Sequence, residues 1–180
     1  MNTEMNIGAT LLSLARESIR ASFAGSPIPQ RPPGPDTLDP PRGAFVTLKH
    51  GDVLRGCIGR IESNDPLWQT VATMAREAAF RDPRFAPLPS EELPRVSLEI
   101  SVLTRPAPVE RIEDIVPGRD GLIVCQGARR GLLLPQVAVE WGWDRETFLA
   151  HTCTKAGLAP NAWQDQATSI LAFSADVFSE

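Results

Sequence analysis

The segment VLRGCIGRIES, residues 53–63, contains a cysteine thiol that could act as a nucleophile. In an extended strand, side chains two residues apart lie on the same side, so Arg55 and Cys57 are expected to share one face. A guanidinium beside a thiol favours the thiolate, the form that attacks carbon or sulfur. Gly56 and Gly59 weaken a strand and indicate a bulge or the close approach of a ligand or backbone. The pattern predicts a reactive Cys57 in a ligand-binding cleft.

The same residues also have a purely structural interpretation. Free cysteine is among the most buried residue types, where it behaves as a small apolar side chain. Glycines in a strand can make room for a helix that packs on it. The sequence pattern leaves both interpretations open.

Glu99 is the second candidate for chemistry. It lies in RVSLEISVL, where apolar and polar residues alternate at the period of a strand. A carboxylate within a sheet is costly unless it is paired or used. We expect Glu99 either to form an ion pair with Arg55 or to act as a general acid or base beside Cys57.

Neither histidine is placed to activate the thiol. A two-residue turn after His50 would pair His50 with Val53 and put Val46 opposite Cys57, leaving roughly 13 Å between His50 and Cys57. His151 lies in a later predicted helix and could reach Cys57 only through a tertiary contact. The spacings of cysteines and histidines match no common zinc site, so we expect no metal ligands.

Other polar and aromatic residues have more than one interpretation. Arg81 and Arg84, in RDPRF, could bind an anionic ligand or cap the preceding helix, whose last carbonyls prefer cations. Trp141, Trp143 and Trp163 are expected to be packing residues. The chain has no tyrosine, so the candidate side chains are those of Cys, Glu, Asp, His, Lys and Arg.

Periodicity and turn residues predict the elements of the first half. Apolar residues at helical spacing predict a helix over residues 7–23, followed by a proline-rich loop or strap over residues 26–41. GAFVTLKH and VLRGCIGRI predict a β-hairpin that carries Cys57. A helix is predicted over residues 66–80 and a strand over residues 96–103.

The same signals predict the elements of the second half. GLIVCQ and RRGLLL predict another hairpin, after which Pro135 opens a short helix through Trp141. Asp144 caps a further helix that ends at Gly157, and SILAFSADVF is predicted to be one closing strand. Interspersed helices and two hairpins predict an α+β fold, a largely antiparallel β-sheet flanked by helices.

Length, charge and cysteine usage limit the function classes. A chain of 180 residues suits one compact unit, or one domain with a minor lobe. Its net charge of −4 and pI near 5.3 argue against a nucleic-acid partner. Three well-separated cysteines, without a leader or a membrane-length apolar run, predict a reduced, cytoplasmic protein with no membrane partner.

The ordered set GAFVTL, LRGCIG, AREAAFRDPRF, LEISVL, GRDGLIV, GLLLPQVAVEWGW, TKAGL and AW resembles the AMMECR-type domain family over about residues 43–180. The resemblance implies an α+β fold with a larger and a smaller lobe around the sheet. It divides the chain into an N-terminal helix and proline-rich strap, residues 1–42, packed on a domain of residues 43–180. LRGCIG is the hallmark motif of that family, and its presence implies a functional Cys57.

The resemblance also implies binding residues and partners. Two further family signatures, LPQ and KAG, would line the same cleft and add Pro135, Gln136 and Lys155 to the binding residues. In prokaryotes such chains are similar to members of the AmmeMemoRadiSam system, which implies a Memo-like protein and a radical S-adenosylmethionine protein as partners. The sequence has no dinucleotide-binding, P-loop or iron–sulfur cluster motif, so we expect no cofactor in this chain.

Three functional hypotheses follow from these residues. The first is an enzyme, or an enzyme-like subunit, that uses Cys57 with Arg55 and Glu99 on an unknown small-molecule or protein substrate. The alternative is a non-catalytic binding or scaffold module that presents the LRGCIG surface to its partners. The third is a metal carrier that uses cysteine and histidine.

Overall fold

Within residues 3–180, which a computed structural model describes with side chains from Ile7 onward, the chain forms four α-helices and eight β-strands. The helices are α1 (Thr3–Phe23), α2 (Leu67–Phe80), α3 (Pro135–Glu140) and α4 (Arg145–Lys155). The strands are β1 (Ala44–His50), β2 (Val53–Arg60), β3 (Ser97–Leu103), β4 (Ala107–Pro108), β5 (Gly121–Gln126), β6 (Arg129–Leu133), β7 (Ser169–Phe173) and β8 (Ala175–Ser179). The predicted α+β class is confirmed, with the strands divided between two antiparallel four-stranded sheets.

The chain divides into two compact units, each with its own sheet and hydrophobic core. The first unit runs through Leu103 and includes Asp176–Glu180, and the second unit is Thr104–Ala175. The predicted boundary at residue 42 lies inside the first unit. No helix in the described part of the chain has the length and apolarity that a membrane crossing requires.

The first sheet has the strand order β2-β1-β3-β8, and its core face packs against α1 and α2. Strand side chains alternate between faces, and the buried set on β1 and β3 is Ala44, Val46, Leu48, Leu98, Ile100 and Val102. The opposite face of these strands is only half-buried at Thr47, Lys49 and Glu99. We call this second side the polar face.

Two segments before β1 are tied into the first core. Leu11 and Ile19 of α1 are fully buried, as the helical spacing predicts, and α1 packs on α2. In the proline-rich segment Leu38 is fully buried, and Arg76 of α2 donates to the carbonyl of Pro27 at 2.7 Å. The segment therefore contributes to the core as well as connecting α1 to β1.

A β-bulge in β2 sets the register at Cys57. The turn is as predicted, because His50 pairs with Val53, but the register shifts one residue further along the hairpin. Leu48 pairs with Gly56 and Lys49 with Leu54, so Arg55 is left without an opposite residue on β1. The prediction that Val46 faces Cys57 is therefore wrong, and Thr47 is the opposite residue.

The second sheet has the order β4-β7-β5-β6 and packs against α4. The predicted helix ends are confirmed: Asp144 caps α4 with its carboxylate, and Gly157 follows its last turn at a φ of 74°. The Leu158 N–H returns to the Cys153 carbonyl at 2.9 Å, which closes a Schellman motif.

The closing segment SILAFSADVF is two strands, so the prediction of a single strand is wrong. β7 belongs to the second sheet and β8 to the first, with Ser174 between them. Alternation of apolar residues continues through Ser174, which is why periodicity alone does not reveal the break.

The motif glycines lie against protein atoms. A Cβ at Gly56 would run into the carbonyl oxygen of Ala78 on α2, and one at Gly59 would meet the ring of Phe45. Gly56 is itself buried. These two glycines, predicted as binding residues, let a helix and an aromatic ring approach β2 closely.

We expect Gly56→Ala to lower the free energy of unfolding by about 1–3 kcal/mol, because the added methyl forces β2 and α2 apart. Urea-induced unfolding measures the change. Val53→Ala is the matched control: it lies on the same strand but is 70% exposed, so little change is expected. An unchanged unfolding midpoint for Gly56→Ala would contradict the close contact.

Candidate functional site

The backbone of Cys57 is held by two side chains from the loop after α2. Cys57 lies on β2, the edge strand of the first sheet, and its N–H donates to Asp82 Oδ2 at 2.9 Å. Its carbonyl accepts from Arg84 Nη2 at 3.2 Å. Because both groups point away from β1, Cys57 and Thr47 form a non-hydrogen-bonded pair, in which side chains come closest. The otherwise open edge of β2 is thus closed at the cysteine.

Asp82 and Arg84, the two residues bonded to the Cys57 backbone, form an ion pair with each other. Arg84 donates through Nε to Asp82 Oδ1 at 3.0 Å and through Nη2 to Oδ2 at 2.7 Å. The Asp82 side chain is only 1% exposed. The hydrogen bond from the Arg84 side chain, helped by the N–H groups of Cys57 and Arg84, outweighs burial and holds the pKa of Asp82 far below its usual value.

The same pair affects Arg84. Its hydrogen bond and charge interaction with Asp82 raise the pKa of the guanidinium against the effect of burial, and the charge of the Cys57 sulfur acts in the same direction. Arg84 is therefore the arginine that contacts Cys57. Its side chain remains 55% exposed, so its outer surface faces solvent.

The Cys57 sulfur lies beside a hydroxyl. The residue is half-buried, and the Thr47 Oγ1 donates to Sγ at 3.2 Å. Thr47 is also directly opposite Glu99 in the register of β1 with β3. One row across the strands thus contains a thiol, a hydroxyl and a carboxylate.

Glu99 is bound within the polar face. Its Oε2 accepts from Lys49 Nζ at 2.9 Å and from Ser179 Oγ at 3.4 Å. Lys49 and Glu99 are both partly exposed. Neighbouring strands are about 4.8 Å apart, so Thr47 separates the Cys57 and Glu99 backbones by roughly 10 Å.

The expected ion pair between Arg55 and Glu99 is wrong. Arg55 Nε donates to Glu92 Oε2 at 2.9 Å, and Nη1 donates to the Ala86 carbonyl at 3.0 Å. The bulge removes Arg55 from the regular pairing of β2, while Lys49 on the adjacent strand is the nearer cation for Glu99. Arg55 fastens the loop after α2, and Arg84 takes the position beside the cysteine.

The other predicted binding residues are Arg81 in the first unit and three residues of the second unit. Arg81 is 75% exposed, with Nη1 3.5 Å from Glu77 on the preceding turn, and its backbone caps α2. Pro135, Gln136 and Lys155 belong to the second unit. Pro135 is buried in the first turn of α3, whereas Gln136 and Lys155 are exposed. Their role in binding stays a prediction.

The structure also shows the surroundings of both histidines and of the tryptophans Trp141 and Trp143. His50 is exposed at the hairpin turn, and His151 stacks on Trp143 with ring centroids 3.9 Å apart. Trp141 is 70% exposed, so its prediction as a packing residue is wrong. Among the described residues, no group of three or more His, Cys, Asp or Glu side chains is close enough to hold a metal ion.

Comparison with known proteins decides the family. The chain matches the AMMECR1 family over residues 12–178. The chain belongs to the AMMECR1 family. A protein of Methanothermobacter thermautotrophicus is 46% identical over 181 residues, covering 96% of this chain and 94% of that protein. A protein of Pyrococcus furiosus is 46% identical over 184 residues, covering 96% and 88%.

A solved structure shares the fold. The crystal structure of an uncharacterized protein from Pyrococcus horikoshii superposes with a TM-score of 0.83 at 44% identity, covering 94% of this chain and 89% of that one. The AMMECR1 match begins at residue 12, inside α1, so it includes the proline-rich segment that the sequence resemblance left out.

Sequence reasoning missed three residues of the site in this AMMECR1 protein. Asp82 lies between two arginines in RDPRF, where it looks like a loop residue, and its burial is a tertiary feature. Thr47 and Lys49 were not predicted because a regular hairpin puts Val46 opposite Cys57, whereas the bulge puts Thr47 there. The alternation of GAFVTLKH does contain the signal for Thr47 and Lys49, because both fall on the same side of β1.

Asp82→Asn removes the buried charge and leaves Arg84 without its partner. We expect the free energy of unfolding to fall by about 3–5 kcal/mol at neutral pH. The pKa of Asp82 is depressed in the folded state, so its contribution is present above the unfolded pKa of about 3.9 and is lost as the pH falls below it. The difference in the free energy of unfolding between wild type and variant should therefore become smaller at acidic pH.

Urea unfolding at a series of pH values measures this difference. Asp176→Asn is the matched control, because its carboxylate is 64% exposed and lies 3.5 Å from Arg42; its effect should be below about 1 kcal/mol. A cost of Asp82→Asn that does not change with pH would show that the charge is not responsible.

Proposed function

We propose that this AMMECR1 protein is a cysteine-dependent enzyme in which Cys57 is the nucleophile. The observation that carries the proposal is the way in which Cys57 is held. The buried carboxylate of Asp82 and its ion-pair partner Arg84 fix the N–H and the carbonyl of Cys57, while its half-buried sulfur is turned toward the hydroxyl of Thr47. A cysteine that only fills space needs neither a desolvated carboxylate on its N–H nor a hydroxyl donor on its sulfur.

Two groups would interact with the sulfur when it carries the charge of the nucleophile. The Thr47 hydroxyl donates a hydrogen bond that strengthens when the sulfur is charged. The guanidinium of Arg84, bonded to the Cys57 carbonyl, adds Coulomb attraction to the sulfur anion. Arg84 therefore takes the role that the sequence assigned to Arg55.

Lys49 and Glu99 are the proton-transfer groups of the proposed site. Lys49 is two residues from Thr47 on the same face of β1, and its ammonium is bonded to Glu99. Attack by the thiolate would form a sulfur–carbon bond and expel a leaving group with the electron pair of the broken bond. The Lys49 ammonium would give that group its proton, and the Glu99 carboxylate, hydrogen-bonded to Nζ, would orient Lys49 for this transfer. The substrate would lie across β2, β1 and β3.

The reactivity of Cys57 is tested by alkylating the folded protein with iodoacetamide near neutral pH and measuring each cysteine by peptide mass spectrometry. Cys57 should label faster than Cys125, which is also half-buried, and faster than Cys153, which is buried with a raised pKa. Thr47→Val should slow the labelling of Cys57 by about ten-fold, because the thiolate loses a hydrogen-bond donor.

Ser179→Ala is the matched control for Thr47→Val. It also removes a hydroxyl, but one that lies beside Glu99 and not beside the sulfur. Labelling of Cys57 only after unfolding, or equal rates in both variants, would reject Cys57 as a nucleophile.

A second candidate function is a binding module that presents the LRGCIG surface to a Memo-like protein and a radical S-adenosylmethionine protein. The exposed start of β2 favours it: Val53, directly before the motif, is 70% exposed, and Leu54, its first residue, is 36% exposed. Exposed apolar side chains on an edge strand suit a protein partner better than a small substrate.

Co-purification from cells that produce all three proteins tests this candidate. If the surface binds the partners, Val53→Ser with Leu54→Ser should reduce their recovery several-fold, whereas Cys57→Ala should retain them. Val177→Ser is the control, because Val177 is 55% exposed on β8. Equal recovery with every variant would exclude the start of β2 as a docking surface.

A further inference from the structure

An exposed aromatic stack lies on the second unit, and it includes no residue used in the proposed function. Trp141 stacks on Trp143 with ring centroids 6.1 Å apart and 19° between planes. Trp143 stacks on His151 with centroids 3.9 Å apart and 2° between planes. We call these three residues the aromatic stack. Its outer member, Trp141, is 70% exposed, and Val139 beside it is 66% exposed.

The backbone holds the stack in position. The N–H of Trp141 donates to the Val137 carbonyl at 3.2 Å, and that of Trp143 donates to the Ala138 carbonyl at 2.8 Å. Gly142 between them has a φ of 63°, which turns the chain between α3 and α4. The exposure of Trp141 therefore follows from an ordered turn and not from a loose loop.

Acidic residues flank the tryptophans of the stack in the sequence. Glu140 and Asp144, next to the two tryptophans in the sequence, are exposed, as is Glu146. The nearby Arg145, whose Nε donates to the Ile115 carbonyl at 2.8 Å, offsets only one of these three negative charges. The hydroxyl of Thr147, together with its N–H, lowers the pKa of Asp144, so this carboxylate stays charged. The surface around Trp141 is therefore both aromatic and negative.

We propose that the aromatic stack binds an arginine side chain in a peptide segment of a partner protein. A guanidinium is a planar cation that lies flat on an indole ring while its N–H groups reach carboxylates, and it is more weakly hydrated than an ammonium. The exposed face of Trp141 supplies the ring, and Glu140, Asp144 and Glu146 supply the negative charge. Phosphate-bearing ligands are repelled by the same carboxylates.

The proposal is independent of the chemistry at Cys57. Its probe is an acetylated and amidated Gly-Ser peptide that carries several arginines, titrated into the full chain while the indole N–H signals are followed by nuclear magnetic resonance. Replacing each tryptophan in turn by phenylalanine assigns the signals. We expect the Trp141 signal to shift, with lysine peptides binding more weakly and citrulline peptides, which are planar but uncharged, causing no shift.

Two variants separate the contributions. Trp141→Ala should weaken binding of the arginine peptide by about ten-fold or more, as for a central aromatic contact. Glu140→Gln with Glu146→Gln should weaken it by a few-fold and reduce its dependence on salt. Val177→Ala, at an exposed apolar residue of β8, should leave it unchanged.

Three results would overturn the proposal. The first is an unshifted Trp141 signal at saturating arginine peptide. The second is equal binding of arginine and citrulline peptides, which would indicate simple ring stacking. The third is a wild-type dimer that Trp141→Ala converts to a monomer in sedimentation, which would identify a second copy of this chain as the occupant.

Discussion

The candidate site depends on one buried carboxylate. Asp82 lies at the edge of the first sheet, where the N–H of Cys57 would otherwise face outward, and its charge is balanced by Arg84 from the same loop. Removing a carboxylate from water is costly, and this cost is offset only because the guanidinium and two backbone N–H groups surround it. The direction of the Cys57 side chain follows from this arrangement, since both backbone groups of Cys57 are fixed away from β1.

The loop after α2 is fastened to β2 at more than one point. Arg55 in the bulge holds Glu92 and the Ala86 carbonyl, while Asp82 and Arg84 hold Cys57. Gly56 allows α2 to lie close beneath the same strand. The motif LRGCIG thus connects neighbouring segments through its arginine and first glycine, and its cysteine, the proposed nucleophile, faces the polar side of the sheet.

Local pattern predicted most elements of the fold, and tertiary features account for what it missed. The two hairpins, the Asp144 cap and the Gly157 end depend on residues close in sequence, so turn and capping residues suffice to predict them. The glycines of β2 indicate a bulge but do not place it at Arg55, and the break at Ser174 does not interrupt the apolar alternation. The predicted ion pair between Arg55 and Glu99 was wrong because of the bulge: one displaced residue changes which side chains meet across the strands.

The return of the chain to the first sheet has a consequence for the order of folding. β3 and β8 are neighbours in one sheet, yet the whole second unit lies between them in sequence. Closing so long a loop costs conformational entropy. Within the second unit, however, Thr104 and Ser174 are joined by hydrogen bonds of 2.9 and 2.8 Å at its two ends. Once that unit has formed, β3 and β8 emerge from adjacent points, and the last strand can pair as though it followed a short turn.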